Sequence, residues 1–256
     1  MRSLLSRLDQ RFVPQPDLAR VGWLAEWTYA HRGLHGAGRV ENSASAFRAA
    51  VAAGFGIECD IQRSADDVAM VFHDWDFMRL IGRPEKSASL TAAEWKTLSY
   101  LEGEEPPIAL ADLLELVDGR VPILIEIKSK RRYDVGRSCE AVAECLEGYE
   151  GLHAVMSFDP RVSRWFRKNC PQTVQGLVMR EDDKGYTQKA WQRRLTLWAA
   201  RPEFLAYHVE ALPNLMVSAL REAGLPIATW TVSTPALAER AQANSDALIA
   251  EGEGIG

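Results

Sequence analysis

GIECDIQRSADDVAMVFHD, residues 56–74, holds two strand signals, 56–62 and 68–73, with only five residues between them. Five residues cannot make a crossover helix, so these two segments pair as an antiparallel hairpin. Away from this pair the rhythm changes. Apolar, β-branched runs at 27–31, 122–128, 154–158, 175–179, 204–209, 226–232 and 247–250 alternate with helical patterns. Leu110, Leu113, Leu114 and Val117 repeat at helical spacing and stop before Gly119. Thr234 followed by Pro235 reads as an N-cap with proline in the first turn. Thr91-Ala-Ala-Glu94 reads as a capping box opening a helix through about Ser99. Alternating strands and helices predict a parallel sheet covered by helices, and the continuous apolar strands predict burial on both faces. No Gly-x-Gly-x-x-Gly follows a strand and no Walker loop occurs, which removes the best signal of a nucleotide-binding doubly wound sheet. The expected fold is an α/β (β/α)8 TIM-type barrel, distorted by the hairpin of its second and third strands. Residues 74–109 interrupt the rhythm and read as a small inserted subdomain after the third strand. Residues 1–26 read as an N-terminal arm or helix packed on the barrel, and 27–256 as the catalytic barrel.

Composition narrows the function. The chain has 256 residues, 47% hydrophobic and 25% charged, with a formal net charge of −5. No basic stripe appears, so nucleic acid is not an expected partner. No apolar run approaches the ~20 residues of a membrane helix, and the charged N-terminal segment does not read as an export signal. Four cysteines, at 59, 139, 145 and 170, include no Cys-x-x-Cys pair. They read as reduced thiols in the cytoplasm rather than a disulfide framework.

Polar residues at barrel strand ends point to chemistry. Glu58 and Asp60 stand at i and i+2, on one face of a strand with Cys59 on the other. Glu126 and Lys128 repeat that spacing. Three carboxylates converging on one barrel mouth repel unless a cation sits among them, and an all-oxygen donor set suits Mg²⁺ or Ca²⁺ better than zinc. The bland alternative is a buried ionic network in which Glu58 and Glu126 merely pair with Arg32 and Lys128. His31 and His73 each end an apolar strand, where a lone histidine is commonly a hydrogen-bonded structural residue. Together, and beside three carboxylates, two imidazoles can divide general acid and general base duties. Arg32 adds a bidentate donor for phosphate oxygens and Lys128 a point charge. The combination points to phosphoryl chemistry.

His31-Arg32-Gly33, Glu41-Asn42, Glu58-Cys-Asp60, Phe72-His73-Asp74, Glu126-Ile-Lys128, Ser157-Phe158 and Trp230-Thr-Val232 occur in the order found in glycerophosphodiester phosphodiesterases, which the chain resembles. The thirteen-residue step from Asp60 to His73 matches as well, and the segment with Arg79 resembles that family's insertion. The resemblance covers about residues 27–250. It implies hydrolysis of glycerophosphodiesters to sn-glycerol 3-phosphate and an alcohol, with one divalent cation, Mg²⁺ or Ca²⁺, on Glu58, Asp60 and Glu126. It further implies His31 and His73 as the acid/base pair and Arg32 and Lys128 as phosphate holders. Glu41 is placed at the metal or the glycerol hydroxyls, and Phe158 and Trp230 at the glycerol pocket. Three departures stand out: no proline precedes Glu41-Asn42, the hairpin turn reads Ser64-Ala-Asp-Asp-Val68, and the last strand runs into Ala250-Glu251.

Other readings compete. A related barrel that cleaves phospholipid head groups would want an apolar, membrane-facing rim, a silent barrel would only bind phosphodiesters, and an aldolase would use Lys128 as a Schiff base. His35 reads as a loop residue, and His208 as either a pocket wall or a structural hydrogen bond. The run Glu181-Asp-Asp-Lys184 reads as a solvated loop, and Trp165, Trp191 and Trp198 as packing residues.

Overall fold

Every strand signal in the sequence is a strand in the computed structural model, which describes residues 9, 12, 13, 15–36 and 38–255. In chain order they are β1 (Thr28–His31), β2 (Gly56–Arg63), β3 (Ala69–Val71), β4 (Ile123–Ile127), β5 (His153–Ser157), β6 (Val174–Met179), β7 (Phe204–His208), β8 (Ile227–Val232) and β9 (Ala247–Ala250). Between them run α1 (Ala44–Ala53), α2 (Leu110–Val117), α3 (Val135–Leu146), α4 (Pro160–Asn169), α5 (Ala190–Ala200), α6 (Leu215–Glu222) and α7 (Pro235–Asn244). The fold is the TIM-type (β/α)8 barrel that the alternation predicts, with one strand added by the hairpin.

The chain divides into two compact units, residues 29–153 and residues 1–28 with 154–256. In the first, β2 pairs in parallel with both β1 and β4, and antiparallel with β3. Its helices follow local chemistry. α2 buries Leu110, Leu113, Leu114 and Val117 and stops where Asp118 turns left-handed, with Gly119 following in the same region. Phe77, Ile81, Trp95, Leu98 and Tyr100 of residues 74–109 share one apolar cluster with Val40, Met70 and Phe72, where Phe72, Phe77 and Trp95 pack as edge-on and tilted ring pairs. The helix expected from Thr91 through Ser99 is shorter, Ala92–Trp95. Its capping box forms as expected, but the Thr97 hydroxyl donates back to the Glu94 carbonyl at 2.7 Å and competes with further helical turns.

The second unit is a parallel run in which β6 pairs with β5 and β7, and β8 pairs with β7 and β9. α7 begins as its sequence dictates, with the Thr234 hydroxyl accepting from the Leu237 amide behind Pro235. Much of the expected arm, residues 1–8, 10, 11 and 14, lies outside the described residues. Of the rest, Asp9 accepts from the Trp198 indole at 3.0 Å, and Arg20 pairs with Glu203 at 2.6 Å.

The hairpin register differs from the expected pairing of Asp60 with His73, by a two-residue turn or a compensating bulge, and follows the rival three-residue loop with Asp67 left-handed. A two-residue turn at Asp66-Asp67 pairs Asp60 with His73. The observed pairs are Ile61 with Val71, Gln62 with Met70 and Arg63 with Ala69, which puts Phe72 opposite Asp60. The reason lies in the loop. The Ser64 amide donates to the Val68 carbonyl, leaving Ala65, Asp66 and Asp67 as a three-residue connection with Asp67 at φ 64°. Ion pairs from Arg63 and Arg137 to the Asp67 carboxylate hold that conformation.

Candidate active site

Strand register assembles the carboxylates. Glu58 lies beside His31 of β1, and Asp60 beside Glu126 of β4, all as paired positions of parallel strands. Each of Glu58, Asp60 and Glu126 offers an oxygen within 4.8 Å of the others. Their exposures are 2%, 1% and 8%, so none can rely on water for its charge. Asp60 is the best compensated. Lys128 Nζ lies 2.7 Å from it and also 2.9 Å from Glu126, and Arg32 Nε approaches at 3.1 Å. Asn42, itself at φ 57°, donates its amide to Asp60 at 2.9 Å and accepts from the Asp60 backbone at 3.2 Å.

These contacts set the protonation pattern. Burial alone would raise Asp60, but Lys128, Arg32 and His73 hold it far below the usual carboxylate range. The same carboxylates keep Lys128 and Arg32 protonated against the opposing effect of burial. Glu58 goes the other way. Burial and the neighbouring charges of Asp60 and Glu126 push it well above its ordinary value, despite its amide bond from Arg32 at 3.1 Å. A cluster that forces one of its own carboxyls toward the neutral form is short of positive charge. Its donors are all oxygen, so the residues fit a hard divalent cation.

The two histidines come to this cluster by different routes. His31 Nε2 lies 3.9 Å from Glu58 Oε2, placed by the β1–β2 register. His73 is beyond the hairpin pairing, and the Gln62 side chain turns the chain there by donating to the carbonyls of His73 and Asp74, each at 3.1 Å. The Phe72 amide donates to the Asp60 carbonyl at 2.9 Å, so His73 follows one residue beyond that pairing, at the point where Gln62 turns the chain. Asp74 then bonds His73 Nδ1 at 2.7 Å and fixes the ring's orientation. Arg79 ties the outer edge together, donating to Asp74 at 2.7 Å and gripping both oxygens of Glu41, which also accepts from Arg32 at 2.7 Å. Burial opposes the ionised form of Glu41, yet Arg79 and Arg32 lower it overall. Sequence reasoning gave Asn42, Asp74 and Arg79 no role, although all three stand in or beside the motifs that marked the site.

The model of the glycerophosphoryl diester phosphodiesterase family matches residues 31–251. The chain belongs to this family. It is therefore an enzyme of the phosphodiesterase class. Solved structures of similar fold include an Oleispira antarctica phosphodiesterase in complex with its product sn-glycerol-3-phosphate, at 21% identity, 94% coverage of each chain and TM-score 0.75. Glycerophosphodiester phosphodiesterases from Thermotoga maritima (25% identity, 87% of this chain and 93% of that one, TM-score 0.72) and Parabacteroides distasonis (22%, 88% and 92%, TM-score 0.73) are similar too. Among curated proteins none matches the chain.

The remaining residues that the family resemblance singles out lie in the second unit and form a ring cluster there. Phe158 meets Trp230 edge-on at 5.4 Å, and His208 lies 5.0 Å from the same indole. Arg180 covers Trp230 at 5.5 Å. Burial, then Arg180, lowers the His208 pKa and favours its neutral form. Glu181 is not the solvated residue its charged neighbours suggest. It pairs with Arg193 at 2.9 Å and accepts from the Asn214 amide at 2.6 Å and from the Tyr207 hydroxyl. The signal for this was Tyr207, a polar-tipped residue inside an apolar strand that needs a partner when buried. Within this phosphodiesterase, Trp165 stacks edge-on with Phe166, Trp198 meets Phe12, and Trp191 is exposed. His35 is partly buried in the turn after β1.

Proposed function

We propose that this family member hydrolyses glycerophosphodiesters to sn-glycerol 3-phosphate and an alcohol, using His31 and His73 as its acid/base pair. The observation that carries the reading is the convergence, within one unit, of His31, Arg32 and Lys128 on Glu58, Asp60 and Glu126, with His73 one residue beyond the Phe72 amide that bonds the Asp60 carbonyl. The product seen in the Oleispira antarctica relative supports the glycerol end of the substrate. Glu58, Asp60 and Glu126 would hold one divalent cation, Mg²⁺ or Ca²⁺, which when bound acidifies a hydroxyl and balances phosphoryl charge.

Arg32 and Lys128 meet the phosphate oxygens, and Glu41 fixes Arg32 for that task. One imidazole takes the proton of the glycerol 2-hydroxyl as its oxygen bonds to phosphorus. The other protonates the departing alkoxide as the second ester bond breaks. Water then opens the resulting cyclic phosphate with the two roles reversed. Asp74 keeps His73 Nε2 directed away from the bonded Nδ1 edge. Phe158 and Trp230 are assigned to substrate contact, as the family resemblance implies, and His208 joins them as a pocket wall because its ring lies 5.0 Å from the Trp230 indole.

The partner is a small molecule. Among the described residues no helix is long and apolar enough to cross a membrane. A cytoplasmic setting is consistent with four cysteines of which Cys59 and Cys139 are buried. A coupled glycerol 3-phosphate assay over several diesters, with Mg²⁺, Ca²⁺ or chelator, tests the proposal. Metal-dependent release of glycerol 3-phosphate is expected, and its absence across the panel with either ion would overturn the reading.

A further inference from the structure

Two residues beyond each catalytic segment, the chain builds a cationic rim. Trp75 follows His73-Asp74, and Lys130 follows Lys128. Lys130 Nζ sits 4.0 Å from the centre of the Trp75 ring, and Tyr133 meets Trp75 edge-on at 5.5 Å. Arg63 lies over Tyr133 at 5.4 Å. Beyond Lys130, Arg131 and Arg132 are exposed and have no ion-pair partner among the described residues.

We infer that this rim receives the leaving alcohol and selects one carrying negative charge, such as a phosphorylated polyol, over one carrying a quaternary ammonium. The inference rests on the hydrolysis proposed above and names its substrate class. Phosphate drawn to the half-buried Lys128 and Arg32 leaves its outer substituent toward the exposed end of the Lys128 segment, where Lys130, Arg131 and Arg132 follow. Two aromatic rings at right angles are the walls that would hold a choline head by cation–π attraction. Here the protein's own cations already cover them, Lys130 on Trp75 and Arg63 on Tyr133. A trimethylammonium group would have to displace a lysine and would meet two further unpaired arginines. An anionic substituent meets cations at three consecutive positions, Lys130 on its ring and the exposed Arg131 and Arg132, and steering by such charges falls with added salt.

The test compares kcat/KM for glycerophosphoinositol 4-phosphate, glycerophosphoglycerol and glycerophosphocholine at low and high ionic strength. The anionic diester should lead the choline diester by about tenfold at low salt, as two or three exposed charge contacts allow. The lead should shrink in high salt, and Arg131→Glu/Arg132→Glu should reverse its sign. Lys130→Ala, which uncovers Trp75, should raise relative turnover of the choline diester. A choline diester preferred by the unaltered enzyme, or a ratio indifferent to the arginine changes, would overturn the inference. Calorimetric binding of the anionic and choline diesters to the His31→Ala/His73→Ala variant reads the rim without turnover. If no diester is hydrolysed but that binding order holds, the catalytic proposal fails and the rim assignment stands. The opposite order sinks the rim assignment alone.

Discussion

The strands of the two units carry very different side chains. In residues 29–153, β2 and β4 bury Glu58, Asp60 and Glu126 among largely apolar residues, and β1 ends in the half-buried His31. In the other unit β5 to β9 contain no Asp, Glu, Lys or Arg at all. Burying an ionised group costs several kcal/mol unless it is paired, so charges inside strands persist only where something requires them. The first unit concentrates that cost around one cluster. The second contributes rings and a polar network, Glu181 with Tyr207, Asn214 and Arg193, that lies outside its strands except for the tyrosine. Sharing one architecture, the two units teach that strand pattern sets the fold while departures from it mark the chemistry.

Loss of the cation should break the contrast most completely. Excess EDTA should abolish turnover and Mg²⁺ or Ca²⁺ restore it, because in the proposed reaction the three carboxylates of the first unit act only as ligands. Turnover that survives chelation would return them to a purely structural network. Next in size are the histidines. His31→Ala and His73→Ala should each lower kcat by about 10²–10⁴, the usual scale for losing a general acid or base. His208→Ala, in the second unit, should cost far less, and equal losses at all three would dissolve the distinction.

Glu181→Ala tests the opposite side of the comparison. It removes the ion-pair partner of Arg193 and the shared acceptor of Asn214 and the Tyr207 hydroxyl, and should reduce stability by about 2 kcal/mol in urea unfolding. A stable variant with a large fall in kcat would move Glu181 into the chemistry. The smallest effect belongs to Trp230→Ala. It should raise KM several-fold with little change in kcat, since a wall residue binds ground and transition states alike. A pure kcat defect would contradict that role.

Much of this was legible before any coordinates. Each strand was readable because parallel strands buried on both faces are written as short β-branched runs, and the carboxylates stood out as interruptions. The hairpin register was not legible, because a two-residue turn and a three-residue turn with Asp67 left-handed are both compatible with Ser64-Ala-Asp-Asp-Val68. What decided it was the pull of Arg63 and Arg137, the latter 70 residues away in sequence. Asn42 and Arg79 stood in readable motifs but had no legible role for a similar reason, since their partners Asp60, Glu41 and Asp74 are brought to them by the folded chain. Glu181 was hidden by its charged neighbours, which resemble solvent-facing loop sequence.

The β2–β3 hairpin also bears on the order in which the chain assembles. Its three-residue connection closes the shortest loop of any strand pair described, whereas each parallel pairing must wait for a helix and its turns to be traversed. Closing a short loop costs the least chain entropy, and pairings distant in sequence are slow. Amides of residues 61–71 should therefore gain protection ahead of those in β4 or β7 when refolding is followed by pulsed hydrogen exchange, and simultaneous protection would argue against it. The distortion of the barrel thereby becomes its starting point, and the segment that carries Asp60 toward His73 is in place before the rest of the sheet is laid beside it.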